Sequence, residues 1–359
     1  MKTVTGSVLF FLLSHLLSCS SSNEEGQLIE GILANYSKTD TPKDLKIPNN
    51  LIFVEVALII HGFSAINVIK MEYSLDLEIY QRWVDPRFII EGLDKNLTLT
   101  HYKDRMWIPD TYFTNSKDGK LHTIPEPQLF IKVNPTNGMV LYKKKVTLTL
   151  SCHMNLYNYP MDVQYCFMNM GSYSYNRKQV KLRWWLPNKD YKDYRFQDDQ
   201  RVDFRHALRI VDSLEMNEFK RPEATCCMCH AGRRIEDSSC LVGVFRLERK
   251  FGFYLTYVYF PSLLVLVVCW LSFFIDRNSP PARVSICVFS ILSVISQGSF
   301  VVNTLPKVSY PKAIDIWIFI CFLLVILSFF EYVLKRKSMV FGERSISTAP
   351  KTIEKFFRT

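Results

Sequence analysis

Three long apolar runs in the last third of the sequence, residues 253–275, 284–302 and 314–334, constrain this chain more than anything else in it. At ~1.5 Å per residue, a helix of about 20 residues crosses a hydrocarbon core of about 30 Å, and each run is about that long. The pattern predicts a helical bundle in a membrane over residues 251–335. The first and third runs are almost uniformly apolar. The second carries Ser285, Ser290, Ser293, Ser296, Gln297 and Ser299. A lipid-facing helix gains nothing from that polarity, whereas a helix lining water does. Ser285, Leu292, Ser296, Ser299 and Asn303 are spaced by seven, four, three and four residues, so they share one face. A buried helix that uses small residues for close packing is the competing reading.

Before Lys250 the pattern changes. Short segments alternate polar and apolar residues, as in 70–80, 140–150 and 179–185, with turn residues such as Pro135, Asn137 and Gly138 between them. That alternation predicts an antiparallel β-sandwich over residues 21–250. The fold class is therefore mixed: an extracellular antiparallel β-sandwich followed by a transmembrane α-helical bundle with three spans present and a fourth missing. Residues 1–20 read as a signal peptide. Lys2 is basic, an apolar stretch runs from Val8 to Leu17, and Ser18, Cys19 and Ser20 make a small-residue cleavage site. An uncleaved anchor is the alternative. Asn35 and Asn96 begin glycosylation sequons, which fits a secretory route.

Lys+Arg number 44 against Asp+Glu 34, a formal charge of +10. Lys335, Arg336, Lys337, Arg344, Lys351, Lys355 and Arg358 crowd the tail at 336–359, next to an apolar run. That placement is the positive-inside pattern of a cytoplasmic tail and removes the case for nucleic acid. No Ser-His-Asp set, P-loop or dinucleotide fingerprint stands out, so an enzyme is not expected and no cofactor is implied.

Cys152 and Cys166 enclose thirteen residues with Tyr159, Pro160, Met161 and Asp162 at their centre. Further along come Trp83–Asp85–Arg87, Trp107–Pro109–Asp110–Tyr112, Pro281–Ala282–Arg283–Val284, and the stretch from Leu305 to Trp317. Together these resemble the Cys-loop receptors, pentameric ligand-gated ion channels. The likeness is to the chloride-conducting branch of glycine, GABA and invertebrate glutamate or amine receptors, and it covers residues 32–335.

The resemblance implies a disulfide between Cys152 and Cys166 and a second between Cys229 and Cys240. It also implies a five-subunit assembly with identical or homologous subunits, a small neurotransmitter ligand, chloride as the permeant ion, and a postsynaptic plasma membrane. Pro281 and Ala282 match the cytoplasmic mouth, where cation-conducting relatives carry a Glu. With Arg283 at the helix start, the helix dipole and the guanidinium both favour an anion. Leu292 matches the hydrophobic gate, with Ser285 and Ser296 on the same wall. Phe289 departs from the small polar residue usual there, and five such rings would narrow and dry the pore. Asp162, Arg249 and the linker residue Lys307 match positions that couple the sandwich to the pore. As a generic surface pair, Asp162 and Arg249 would contribute at most about 1 kcal/mol.

For the agonist, Tyr112 and Tyr173 match two positions of an aromatic box for an ammonium group. The loop 230–239 contains no aromatic. On the complementary side Tyr80 stands where amino-acid-gated relatives carry an Arg, and Lys143 replaces a Ser. Arg82 shares the strand face of Tyr80, so Arg82 and Lys143 are candidates to grip a carboxylate. Cys226, Cys227, Cys229 and His230 spell a haem-attachment pattern that is too short and isolated to carry weight. Zinc at Cys226, Cys227 and His230, and a bond between Cys226 and Cys227, stay open. Cys269, Cys287 and Cys321 read as packing residues. A non-conducting regulatory or decoy subunit is the second function consistent with the missing span, Phe289 and the aromatic-free loop.

Overall fold

The computed structural model describes residues 25–43, 51–185, 207–228, 238–275 and 280–347. A helix α1 at 25–34 precedes twelve strands: β1 (Ile52–Asn67), β2 (Glu72–Val84), β3 (Leu97–Thr98), β4 (Thr111–Phe113), β5 (Ser116–Leu121), β6 (Leu129–Asn134), β7 (Met139–Ser151), β8 (Val163–Ser172), β9 (Val180–Trp184), β10 (Leu208–Ile210), β11 (Glu223–Met228) and β12 (Cys240–Glu248). Eight form one sheet, in the order β10-β1-β2-β7-β6-β3 with β5 on β7 and β9 on β1; the other sheet is β11-β12-β8-β4.

Strict alternation makes the sandwich. On β2 the odd positions Tyr73, Leu75, Leu77, Ile79 and Trp83 are buried, and the even positions Asp76, Glu78, Tyr80 and Arg82 face outward, as a period of two requires. The inward sets of both sheets meet in one core. Phe63 and Tyr73 of the larger sheet meet Phe245 of β12 edge to face, and the Tyr73 hydroxyl donates to the Phe167 carbonyl at 2.9 Å. The expected sandwich is present with one amendment: β9 and β10 both pair with β1 in parallel. The Pro135–Gly138 turn is real, and Gly138 sits at φ +68°, where a Cβ would lie 2.6 Å from the Asp85 carbonyl oxygen.

Three helices follow, each long and apolar enough to cross a membrane: α2 (Gly252–Phe274), α3 (Pro280–Thr304) and α4 (Ala313–Ser347). Over Leu255–Tyr259, α2 winds as a π-helix, and Phe260 N–H bonds Leu255 O. Pro261 follows immediately and has no N–H to give the preceding turn, which is the ordinary cause of such a local change of pitch. The helices pack around Cys269, Cys287, Val294, Cys321 and Val325, and Trp317 Nε1 donates to Ser262 Oγ at 2.9 Å across α4 and α2.

Candidate functional site

Four groups of residues carry the site, and the fold distributes them over both sheets and the bundle. On the four-stranded sheet, β4 pairs with the end of β8, which sets Tyr112 opposite Gly171. Asp110 then fixes the turn after β8. Its carboxylate accepts from Ser172 Oγ at 2.6 Å and from the Ser174 N–H, and its carbonyl accepts from the Tyr173 N–H at 3.3 Å. The result is an edge-to-face pair of Tyr112 and Tyr173, ring centres 5.3 Å apart, with Tyr173 73% exposed. Tyr175 points the other way and takes the Trp107 indole hydrogen bond at 3.0 Å. Cys240 opens β12 opposite Gly171 and is disulfide-bonded; Cys229 lies outside the described residues.

On the outward face of the larger sheet, Tyr80 and Lys143 are cross-strand partners on β2 and β7. Lys143 Nζ lies 5.1 Å from the Tyr80 ring centre and 3.0 Å from Glu78, and the Tyr80 hydroxyl donates to Glu78 at 2.8 Å. His61 Nε2 is 3.5 Å from the same carboxylate. Burial opposes ionisation of Glu78, but the hydrogen bonds from Tyr80 and Lys143 outweigh it and hold the carboxyl below its ordinary value. The hydrogen bond with Tyr80, ahead of Glu78, raises the Lys143 ammonium above its ordinary value.

Arg82 shares this face. Its Nε donates to Glu55, and its guanidinium lies 4.2 Å over the Trp185 ring. Glu55 is buried and also takes Arg183 at 2.8 Å. Arg82 and Arg183 thus meet at one buried carboxylate, with the Trp185 ring against the Arg82 guanidinium. The sequence reading missed Glu55, Glu78 and Arg183. A glutamate inside the apolar run 52–60 was the available signal, because a buried carboxylate requires a cation. Among the described residues, no hydrogen bond, ion pair or ring contact joins the Tyr112–Tyr173 pair to Tyr80, Arg82 or Lys143. Within one chain they are two separate clusters.

The helix α3 has two faces. Pro281, Ala282, Ser285, Phe289, Leu292, Ser296, Ser299 and Asn303 are all exposed, while Arg283, Cys287, Ser290, Val294 and Val301 are buried. The stripe read from the spacing of Ser285, Leu292 and Ser296 is therefore the open face, and Phe289, 70% exposed, stands on it. Arg283 does not. It turns into the bundle, where Nη2 donates to the carbonyls of Phe273 and Ile275 at the end of α2, and its guanidinium lies 5.8 Å over Tyr332 of α4. The inward turn has a physical cause: the last carbonyls of α2 lack helical partners and draw the cation toward them.

The coupling residues are split. Asp162 and Arg249 form a two-pronged ion pair at 2.8 and 3.2 Å, with side chains 2% and 1% exposed. Arg249 lies 4.6 Å over Phe219 and 4.8 Å over Tyr159, and Gln164 donates to Asp162 at 2.6 Å. This is a buried pair rather than a generic surface one. Burial works against the Arg249 charge, and the Asp162 carboxylate more than compensates, raising the guanidinium above its ordinary value. The Cys152–Cys166 disulfide closes the loop at an S–S distance of 2.03 Å. Its tip docks on the start of α4: Tyr157 stacks on Tyr310 at 4.1 Å, and the Ala313 and Ile314 N–H groups donate to the Tyr157 and Tyr159 carbonyls at 2.8 and 3.2 Å. Lys307 is exposed and makes no ion pair or hydrogen bond among the described residues.

Asn35 and Asn96 are both exposed. Cys226 and Cys227 are neighbours in strand β11, where successive side chains point to opposite faces, and no disulfide joins them. Burial, and then the neighbouring thiol, push Cys226 up to about 12. No cluster of three metal-ligating side chains occurs among the described residues; His230 lies outside them.

The comparisons agree with this geometry. A family model described as the neurotransmitter-gated ion-channel ligand binding domain matches residues 25–231, and one described as the neurotransmitter-gated ion-channel transmembrane region matches 258–358. A glutamate-gated chloride channel of Drosophila melanogaster is 32% identical over 316 residues, 87% of this chain and 65% of the relative. A glutamate-gated chloride channel subunit beta of Haemonchus contortus is 29% identical over 323 residues, 87% of this chain and 70% of the relative. With a sandwich that matches the ligand-binding region and helices that match the transmembrane region, the chain belongs to the Cys-loop family of neurotransmitter-gated ion channels, multi-pass proteins of the plasma membrane with an extracellular ligand-binding domain.

Proposed function

We propose that this chain is a subunit of an anion-conducting channel opened by a small amine or amino acid bound between neighbouring subunits of a pentamer. The observation that carries the reading is the open face of α3. It presents Pro281, Ala282, Ser285, Leu292, Ser296 and Ser299 with no carboxylate, and its helix N-terminus faces the inner mouth, where a partial positive charge favours anions. Arg283 supports this by holding the end of α2 rather than by lining the pore.

Ligand capture is divided between the two clusters. The Tyr112–Tyr173 pair offers aromatic faces to an ammonium group, and the partly exposed guanidinium of Arg82 receives a carboxylate of the ligand. Lys143, paired with Glu78 as Arg82 is with Glu55, is the second candidate. The buried Asp162–Arg249 pair and the Tyr157–Tyr310 contact carry movement to the helices. Asn35 and Asn96 are accessible to glycosylation, and the site of action is postsynaptic.

Expression in oocytes under voltage clamp tests the proposal. Current evoked by an amine or amino acid and reversing at the chloride equilibrium potential supports it; evoked current that reverses at the sodium potential refutes anion selectivity. One observation favours a second reading, that of a non-conducting regulatory subunit: Phe289 projects from the open face. Silence alone, with reduced current from a co-expressed sibling subunit, is the result that reading expects.

A further inference from the structure

Cys269 of α2, Cys287 of α3 and Cys321 of α4 are buried in the core of the bundle with Val294 and Val325, away from both ligand clusters and from the open face of α3. Two of these thiols meet. The Cys269 sulphur lies within hydrogen-bonding reach of Cys287, and of the Ser290 and Ser328 hydroxyls of α3 and α4. Cys321 stands apart, with Ser262 rather than a second thiol beside its sulphur. One point in the bundle therefore gathers two sulphurs and two hydroxyls from three helices, and Cys269 and Cys287 are only 1% and 2% exposed. Leu266 and Ile291 pack against the same core and help to keep water from it.

Ligand number and surroundings decide what such a point can hold. Zinc takes four ligands, and no third Cys, His, Asp or Glu joins the pair among the described residues. Hard cations want oxygen ligands and keep their water, which an apolar core does not supply. Thiol sulphur is soft and selects soft ions, and a soft monovalent ion is satisfied by two sulphurs in line. Its binding displaces one proton from each thiol and leaves one net negative charge. Arg283 stands four residues before Cys287 on the same buried face of α3. It is a buried cation whose Nε has no hydrogen-bond partner among the described residues, and it offsets that charge. We propose that Cys269 and Cys287 form a site for one metal ion of the Cu(I) and Ag(I) class, with the Ser290 and Ser328 hydroxyls donating to the sulphurs. The bound ion bridges α2 to α3 behind the open face. The site does not depend on which ion the channel passes or what opens it.

The test is loading of the chain with Ag(I), which does not oxidise thiols, in lipid nanodiscs and chloride-free nitrate buffer. Cys226→Ser and Cys227→Ser in the parent remove the β11 cysteines from the count. Bound silver is counted by elemental mass spectrometry. Cys269→Ser and Cys287→Ser are each expected to lose one ion per chain, and Cys321→Ser to lose none. X-ray absorption of the parent at one Ag(I) per chain needs no change in the helices, and is expected to show two sulphur neighbours. Silver also raises the melting temperature of the parent, and not that of either single variant, because the ion binds only the folded pair. A silver count unchanged in both variants, an equal loss in Cys321→Ser, or a single sulphur neighbour overturns the site. So does a Cys269–Cys287 disulfide in the non-reducing peptide map of the purified chain, since the pair is then a covalent staple with no thiol left for a metal.

Discussion

Asp162 shows how much a single residue's meaning depends on burial. Its sequence position marks it as a coupling residue, yet its energetic weight comes from being enclosed with Arg249. Asp162→Asn leaves the buried Arg249 charge with only the exposed Glu218 carboxylate, 3.9 Å away, at a cost of up to about 3–5 kcal/mol. A marked fall in the melting temperature of the purified chain in nanodiscs is expected. Asp162→Asn combined with Arg249→Met should recover most of it, and failure to recover would mean that the pair acts through more than charge. Glu78 behaves differently. Its folded-state value lies below the ordinary 4.5, so the stability it contributes is complete above that value and fades as pH falls through the lowered one. Between about pH 5 and pH 3 the chain should lose stability more steeply than its Glu78→Gln variant; parallel acid melting curves would exclude the Tyr80–Lys143 network as the cause. Neither Glu78 nor Glu55 was recognised in the sequence as a partner of Lys143 and Arg82, because cross-strand pairing is set by register and a linear pattern does not contain register.

At the scale of elements, the helices were the most legible part. Long apolar runs have few other destinations, and the spacing of Ser285, Leu292 and Ser296 was enough to name the open face of α3. The strands were legible as strands but not as neighbours: alternation identifies β1, β9 and β10 and is silent on their parallel pairing. The inward turn of Arg283 was not legible for a related reason. Its direction is decided by the end carbonyls of α2, which belong to a different helix. Phe289 tests the open face directly. Phe289→Thr removes an exposed aromatic ring from the middle of that face and is expected to raise single-channel conductance; an unchanged conductance would mean that the ring does not face the ion path.

For the whole molecule, the question is how a sandwich of strands and a bundle of helices move together. The Cys-loop tip and the start of α4 are joined by backbone hydrogen bonds, a stacked tyrosine pair, and the Leu156 N–H donating to the Tyr310 hydroxyl at 3.1 Å. Tyr310→Phe keeps the stack and removes that acceptor. The expected result is faster hydrogen exchange at the Leu156 amide, by about ten-fold for a bond of about 1 kcal/mol or slightly more, with the β2 and β7 core unaffected. Exchange that rises throughout the sandwich would instead show a loss of global stability. The domain junction as a whole was only partly legible. The motif residues at 152–166 and 305–317 announced a contact, but the docking of Tyr157 on Tyr310 depends on where two separately folded parts come to rest.

The inward turn of Arg283 also has a mechanical consequence. Because its guanidinium holds the last carbonyls of α2 while its backbone belongs to the first turn of α3, the inner ends of these two rods share one pin. If α3 lines the ion path as proposed, a widening of the inner mouth would drag the foot of α2 with it, and a force applied to α2 from the surrounding bilayer would reach that path through the same pin.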